Sequence, residues 1–347
     1  MTGTTAARTY RDYSQPLWRR LLISREAAVI GALALVIIVS MISVRAFAQP
    51  ITITYLFLDI APILLIALPM TLVIITGEID LSVASIVGLS SVTVGVLHQN
   101  GVPIPAAALV ALLVGLIAGA INGALITMVG LPSLAVTIGT LALYRGLAVG
   151  LLGTTAVTEF NKFWTDLAKS KIGDTAIPSV VILIVVLALV FGILLHFTTF
   201  GRGIFAIGLS PEAARFSGVN VERTKFILFM LSGIVSALAG IYYTLRFGSA
   251  RGDNATGLEL SVIAAVLLGG VSIFGGRGAL PGVLAGALLI GTLASALRLA
   301  NVTSDVINVI TGTLLIASVV GTSFLAWVRN KRARPGGTKG SSPTATG

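Results

Sequence analysis

Cysteine is absent from the 347 residues, and histidine is limited to His98 and His196. The first absence excludes disulfides, thiolate catalysis and cysteine-ligated zinc or iron–sulfur centres. The two histidines stand too far apart in sequence to suggest a metal pair, so neither a metal nor another cofactor is expected. Charge is also scarce, at 10% of residues against 56% hydrophobic, with a mean hydropathy of +1.01. Such a chain has too little polar side chain to clothe an ordinary soluble globule, and reads as an integral membrane protein. Nowhere does it contain G-x-x-x-x-G-K-[ST], the loop whose amides and lysine cradle nucleotide phosphates, so ATP hydrolysis in this chain is not expected.

The net positive charge lies mostly at the ends. The net charge is +10, yet residues 1–26 and 329–347 hold 10 Lys/Arg against 2 acids, and the other 302 residues carry 13 against 11. Basic tails beside apolar spans are what the positive-inside rule produces, with anionic lipid headgroups a secondary attraction. The placement argues against nucleic acid as a partner.

Long apolar, charge-poor runs follow one another through the chain, each near the roughly 20 residues that cross a bilayer as helix. They are 27–44, 56–75, 82–97, 105–129, 133–152, 178–196, 226–245, 258–274, 279–297 and 306–327. Barrel strands would alternate polar and apolar residues, whereas Ala32 to Val39 shows no such alternation. The expected fold is therefore all-α, a polytopic bundle of about ten transmembrane helices. Its transmembrane domain spans 27–328, between basic tails at 1–26 and 329–347. With both termini inside, fifteen Lys/Arg fall on the inner side and seven on the outer, while Arg145 falls within a span. That asymmetry supports cytoplasmic termini in a bacterial inner membrane. Ala46-Phe47-Ala48 before Gln49 resembles a signal-peptide cleavage site, but the basic region before the first apolar run is long for one, so an uncleaved first span is favoured.

Two polar segments interrupt the pattern. Residues 154–177, with Glu159, Lys162, Asp166, Lys169, Lys171 and Asp174, suit an outer loop holding a short surface helix. Residues 198–225 form the inner loop. Within it Ser210, Pro211, Glu212, Ala213, Ala214, Arg215, Phe216, Ser217 and Gly218 carry full helix punctuation: a serine N-cap, proline at the first position, an acid in the first turn and glycine just past the end. So short a helix is marginal alone. Ala213 and Phe216, three apart, offer one small apolar face. It either lies on its own protein or the headgroup boundary, or acts as a peg inserted into a cytoplasmic partner.

Carboxylates inside membranes are costly enough to suggest function. Glu78 and Asp80 stand in Thr76-Gly-Glu-Ile-Asp-Leu-Ser-Val83 between the second and third spans. The simpler reading is interfacial, with Asp80 and Ser82 capping the third span; the sharper one places them on a translocation path or gate. Asp59, about one turn into the second span, reads as interfacial too. A related string recurs where Glu259-Leu-Ser261-Val begins the eighth span. The first copy falls at the inner face and the second at the outer, as an inverted five-plus-five repeat requires, and such repeats place the path at their interface. Glu78, Asp80, Ser82, Glu259 and Ser261 are thus the candidate path residues. Glycine- and alanine-rich stretches such as Gly115 to Gly119 permit close helix approach.

At these positions the chain resembles the permease subunits of bacterial ABC importers for monosaccharides, the ribose, xylose, rhamnose and furanosyl-autoinducer group. The resemblance is carried, in order, by Ile75 to Val83, by Val136 to Gly146, by Phe200 to Gly208 running into Glu212-Ala-Ala214 and Ser217-Gly218, and by Glu259 through Gly269-Gly270 to Gly275-Gly276. Departures are Glu78 and Ala84, where the family often has glycine, and Leu209-Ser210, where it often has Gly-Asn. The resemblance implies a homodimer or heterodimer of such subunits, two cytoplasmic ATPase subunits and an extracytoplasmic sugar-binding protein that selects the sugar. It also implies that Glu212 to Gly218 forms the coupling helix. Arg246 to Asp253, leading to Gly270 to Gly276, looks most like the rhamnose and autoinducer branch. Two other functions compete: an ion-coupled secondary transporter using Glu78, Asp80, Asp59 or Glu259, and a membrane enzyme, for which no nucleophile–base or metal constellation stands out.

Overall fold

The computed structural model describes residues 25–153 and 155–332, so most of each predicted basic tail lies outside the described residues. Those described form thirteen α-helices and no named β-strand. In chain order these are α1 (Arg25–Ser43), α2 (Pro50–Ile75), α3 (Val83–Gln99), α4 (Ile104–Thr127), α5 (Ser133–Leu152), α6 (Lys162–Lys169), α7 (Val180–Phe197), α8 (Thr199–Leu209), α9 (Pro211–Phe216), α10 (Val221–Phe247), α11 (Leu258–Leu268), α12 (Leu280–Leu299) and α13 (Ser304–Arg332). The protein is an all-α polytopic membrane protein. All ten predicted spans are helical; α1, α2, α4, α5, α7, α10 and α12 are long and apolar enough to cross a membrane, while α3, α11 and the apolar part of α13 are shorter.

The bundle is built around α2. Its sequence is apolar on every side because it is buried on every side, sheathed by α7, α10, α11 and α12. Helices at the periphery do the reverse: α1, α5 and α7 turn Leu35, Leu147 and Leu189 outward, a face suited to lipid. Between membrane helices hydrophobicity gives no preference for protein over acyl chain, so close packing has to hold the pair. The α4–α10 crossing shows this: a Cβ on Gly115 would collide with the main chain at Gly233, and one on Gly119 with Phe229.

Some elements differ from the sequence reading. α2 starts at Pro50, not Leu56, because proline suits a first helical turn; Asp59 is consequently more than two turns inside it. α11 stops at Leu268 instead of running to Phe274, since the chain turns through Gly269 and Gly270, the latter at φ +91°. The segment 198–225 is largely helical, with α8 unforeseen before the expected α9. The surface helix expected in residues 154–177 is α6.

The two related strings, Asp80-Leu-Ser-Val and Glu259-Leu-Ser-Val, open the two short helices α3 and α11. α3 starts beside Glu78 and Lys225, whereas α11 is followed by the loop that meets Ile75 and Gly208 at that same end. The helices therefore run in opposite directions, as an inverted repeat requires.

Candidate functional site

α9 has the predicted construction. The Ser210 hydroxyl accepts a hydrogen bond from the Ala213 amide at 3.2 Å, Pro211 occupies the first position, and Gly218 at φ +83° ends it. Its orientation is the informative part. Ala214 is buried against Ile207 and Val221, while the Ala213–Phe216 face points away from the chain and Phe216 is 94% exposed. The helix thus rests on its own protein through a methyl group and leaves its one large apolar side chain unpartnered among the described residues.

Two ion pairs tie this region to the bundle. Arg215 of α9 pairs with Glu222 in the first turn of α10, and one turn on, Lys225 pairs with Glu78. A backbone junction lies beside them. The Gly276 amide donates to the Ile75 carbonyl at 2.8 Å, and Gly208, in the last turn of α8, packs so closely on both that a Cβ there would overlap them. The end of α2, the loop after α11 and the helix leading into α9 are held together without intervening side chains.

Asp80 is fully buried, which corrects the interfacial reading. Its Oδ1 accepts from the Ser82 amide at 3.0 Å and the Ser82 hydroxyl at 2.6 Å, and its Oδ2 accepts from the Ser232 hydroxyl of α10 at 2.7 Å. The Asn122 amide group of α4 donates to the Ser82 hydroxyl at 2.8 Å. A carboxylate was expected to cap α3, and it does approach that terminus, but as a sealed joint among α3, α4 and α10. Asp80→Ala should strand a buried amide and two hydroxyls, each orphan costing about 1–3 kcal/mol, whereas Asp80→Asn retains an acceptor. We expect thermal unfolding in detergent to show a large drop for Asp80→Ala and a small one for Asp80→Asn; equal drops would assign the effect to charge instead.

Arg145, noted in the sequence as a charge within a span and as part of the Val136 to Gly146 motif, is a second, half-buried polar joint. Its guanidinium donates to the carbonyls of Gly252 at 2.7 Å, Asn254 at 2.8 Å and Ala84 at 3.2 Å, joining α5 to the first turn of α3 and to the loop before α11. Asn254 continues inward, donating to the Ser91 hydroxyl at 2.9 Å, which also accepts from Thr244 at 2.6 Å. A lone arginine in a span is costly enough to signal such a role; Asn254, Ser91 and Thr244 gave no comparable signal.

At the end away from α9, Asp59 accepts from Arg246 of α10 at 3.2 Å and from Arg298 of α12 at 3.3 Å. Arg246 also lies over the rings of Tyr55 and Phe247. In the loop after α10, Arg251 donates to both oxygens of Asp253 at 2.8 and 2.9 Å, and these hydrogen bonds hold that carboxyl below its ordinary range. Glu259 and Ser261 sit half-buried in the first turn of α11. The structure therefore joins Glu78, Asp80 and Ser82 to α10 at the α9 end and places Glu259 and Ser261 apart from them.

Comparison with known proteins agrees with this architecture. Residues 52–319 match the family model described as branched-chain amino acid transport system / permease component. The chain is 39% identical over 266 residues, 75% of its own length and 79% of the relative's, to the Autoinducer 2 import system permease protein LsrD of Photorhabdus laumondii. It is 39% identical over 265 residues, 75% and 80% of the two chains, to the LsrD protein of Escherichia coli O157:H7. To that of Salmonella typhimurium it is 37% identical over 281 residues, 77% and 84%. No solved structure matches. The match runs from the first turn of α2 well into α13, taking in residues 198–225 and both short helices, and the chain belongs to this family of transport-system permease components.

Proposed function

We propose that the chain is the membrane-spanning subunit of an ATP-driven importer of a monosaccharide or similar small polyol, with ATP hydrolysed by separate cytoplasmic subunits that dock on α9. The observation that carries this reading is the division of α9: Ala214 anchors it, and Phe216 projects from it with nothing of the described chain against it. A peg so built has its partner elsewhere. The ion pairs Arg215–Glu222 and Lys225–Glu78 and the Gly208–Ile75–Gly276 junction give a push on α9 rigid routes into α10, α2 and the loop after α11, as alternating access demands.

The same reading puts both termini and α9 in the cytoplasm and pairs the subunit with a second permease, identical or not, and with an extracytoplasmic sugar-binding protein. Furanosyl autoinducer is the favoured substrate, supported by the names of the relatives at 37–39% identity, and rhamnose-like sugars come next. The test is to express the tagged chain with its neighbouring genes, purify it in mild detergent, and identify what accompanies it with and without residues 212–218 altered. An ATPase that copurifies and is lost on alteration is the expected result. A chain that purifies alone and moves solute when a proton or sodium gradient is imposed would overturn the reading in favour of an ion-coupled carrier.

A further inference from the structure

Among the described residues, the four most exposed large apolar side chains are Phe216, Ile42, Phe197 and Phe274. Ile42 and Phe197 belong to α1 and α7, apolar spans whose outward faces suit lipid. Phe274, 78% exposed, lies in no helix but in the loop between α11 and α12. That loop is not slack. The Ser272 amide donates to the Arg277 carbonyl at 2.9 Å, and the Gly275 amide to the Ser272 carbonyl at 3.0 Å. Gly275 and Gly276 hold φ of +81° and +71°, a turn that favours glycine, and the Gly276 amide is bonded to Ile75. Ile273 packs against the core while Phe274 beside it points outward. The division is that of α9, where Ala214 is held and Phe216 projects.

The loop and α9 adjoin. Leu209, the last residue of α8, lies so close to Gly276 that a Cβ there would come within 2.7 Å of its side chain, and the chain passes from Leu209 through Ser210 into α9. Arg277 in the loop and Arg223 in the first turn of α10 are exposed, and neither has a carboxylate partner among the described residues. A cover for this region has to take two aromatic rings and answer two cations. Headgroup phosphates would answer the arginines, but a fluid layer gains nothing from a ring locked in place by main-chain hydrogen bonds. A protein recess does gain, because a pre-set side chain loses little freedom on docking.

We propose that Phe274 is a second docking peg for the cytoplasmic ATPase, which offers it an apolar recess beside that for Phe216, rimmed by carboxylates that meet Arg223 and Arg277. The inference rests on the importer reading and extends the partner's footprint from α9 to the loop after α11. One peg lets a partner pivot about it, whereas two fix its orientation. A turn of the ATPase then acts on α10 through Phe216 and on α11 through Phe274.

The test titrates the purified ATPase against the full-length permease in nanodiscs, comparing Phe274→Ala with Phe216→Ala and the parent. Phe274→Ala should melt like the parent and bind the ATPase roughly tenfold more weakly. Parental affinity in Phe274→Ala, with a loss in Phe216→Ala, would overturn the second peg and leave the importer standing; parental affinity in both would overturn docking on α9 as well. Because the chain contains no cysteine, Phe274→Cys supplies an independent measurement. A charged maleimide should label it readily in the permease alone and roughly tenfold more slowly once the ATPase is added in tenfold excess over its dissociation constant. A cysteine that is unreactive before the ATPase is added is already covered by lipid or by a second permease, and one whose labelling the ATPase leaves unchanged lies outside the contact; either result would overturn the proposal.

Discussion

Gly208→Ala is expected to abolish uptake although it adds only a methyl group. The new Cβ would overlap the Ile75 carbonyl oxygen and the Gly276 amide nitrogen. Both are main-chain atoms, so no side chain can rotate aside, and they are bonded to each other at 2.8 Å. The methyl must either break that hydrogen bond or lift α8 off the end of α2. Overpacking of this kind costs about 1–3 kcal/mol, and the lost hydrogen bond about 1 kcal/mol more. The functional loss should exceed the loss of stability, because α8 passes through Ser210 directly into α9 and any lift is delivered to the helix proposed to dock the ATPase. Gly203→Ala supplies the comparison: its Cβ would meet only the Val219 side chain, at 3.2 Å, where a small shift suffices. Uptake by reconstituted vesicles, with thermal midpoints measured on the same preparations, distinguishes the two; normal transport by Gly208→Ala would show that the junction carries no motion.

Much of this architecture was legible in the residues. Spans announce themselves by length, and the punctuation from Ser210 to Gly218 specified α9 nearly to the residue because every signal there is local: cap, proline, acid and terminal glycine. Signals that depend on distant partners were not readable. Asp80 looks interfacial in sequence, since a carboxylate between two apolar runs ordinarily meets water; its burial depends on Ser232, in a helix far along the chain. The Ala213–Phe216 face was visible as apolar, but which side of α9 rests on the bundle is fixed by Ile207 and Val221. Glycines at Gly208, Gly275 and Gly276 were recognised as a motif, whereas the contact that makes a side chain intolerable there belongs to α2.

Phe216→Ala should separate folding from coupling more cleanly than any other substitution in the protein. At 94% exposure the ring contributes almost nothing to the stability of the isolated subunit, so the variant should insert, purify and melt like the parent. If the ring is the buried anchor of the ATPase contact, its removal costs at least about 2 kcal/mol of association, which is roughly 30-fold in affinity. Ala214→Leu makes the opposite intervention: it crowds Ile207 and Val221 beneath the helix, and should lower the thermal midpoint before it affects any partner. Titrating the purified ATPase against both variants in nanodiscs tests the pair of expectations. Wild-type affinity in the Phe216→Ala protein would mean that the ring lies in the headgroup layer rather than in another chain, and α9 would then be a surface anchor whose exposed face is explained by lipid.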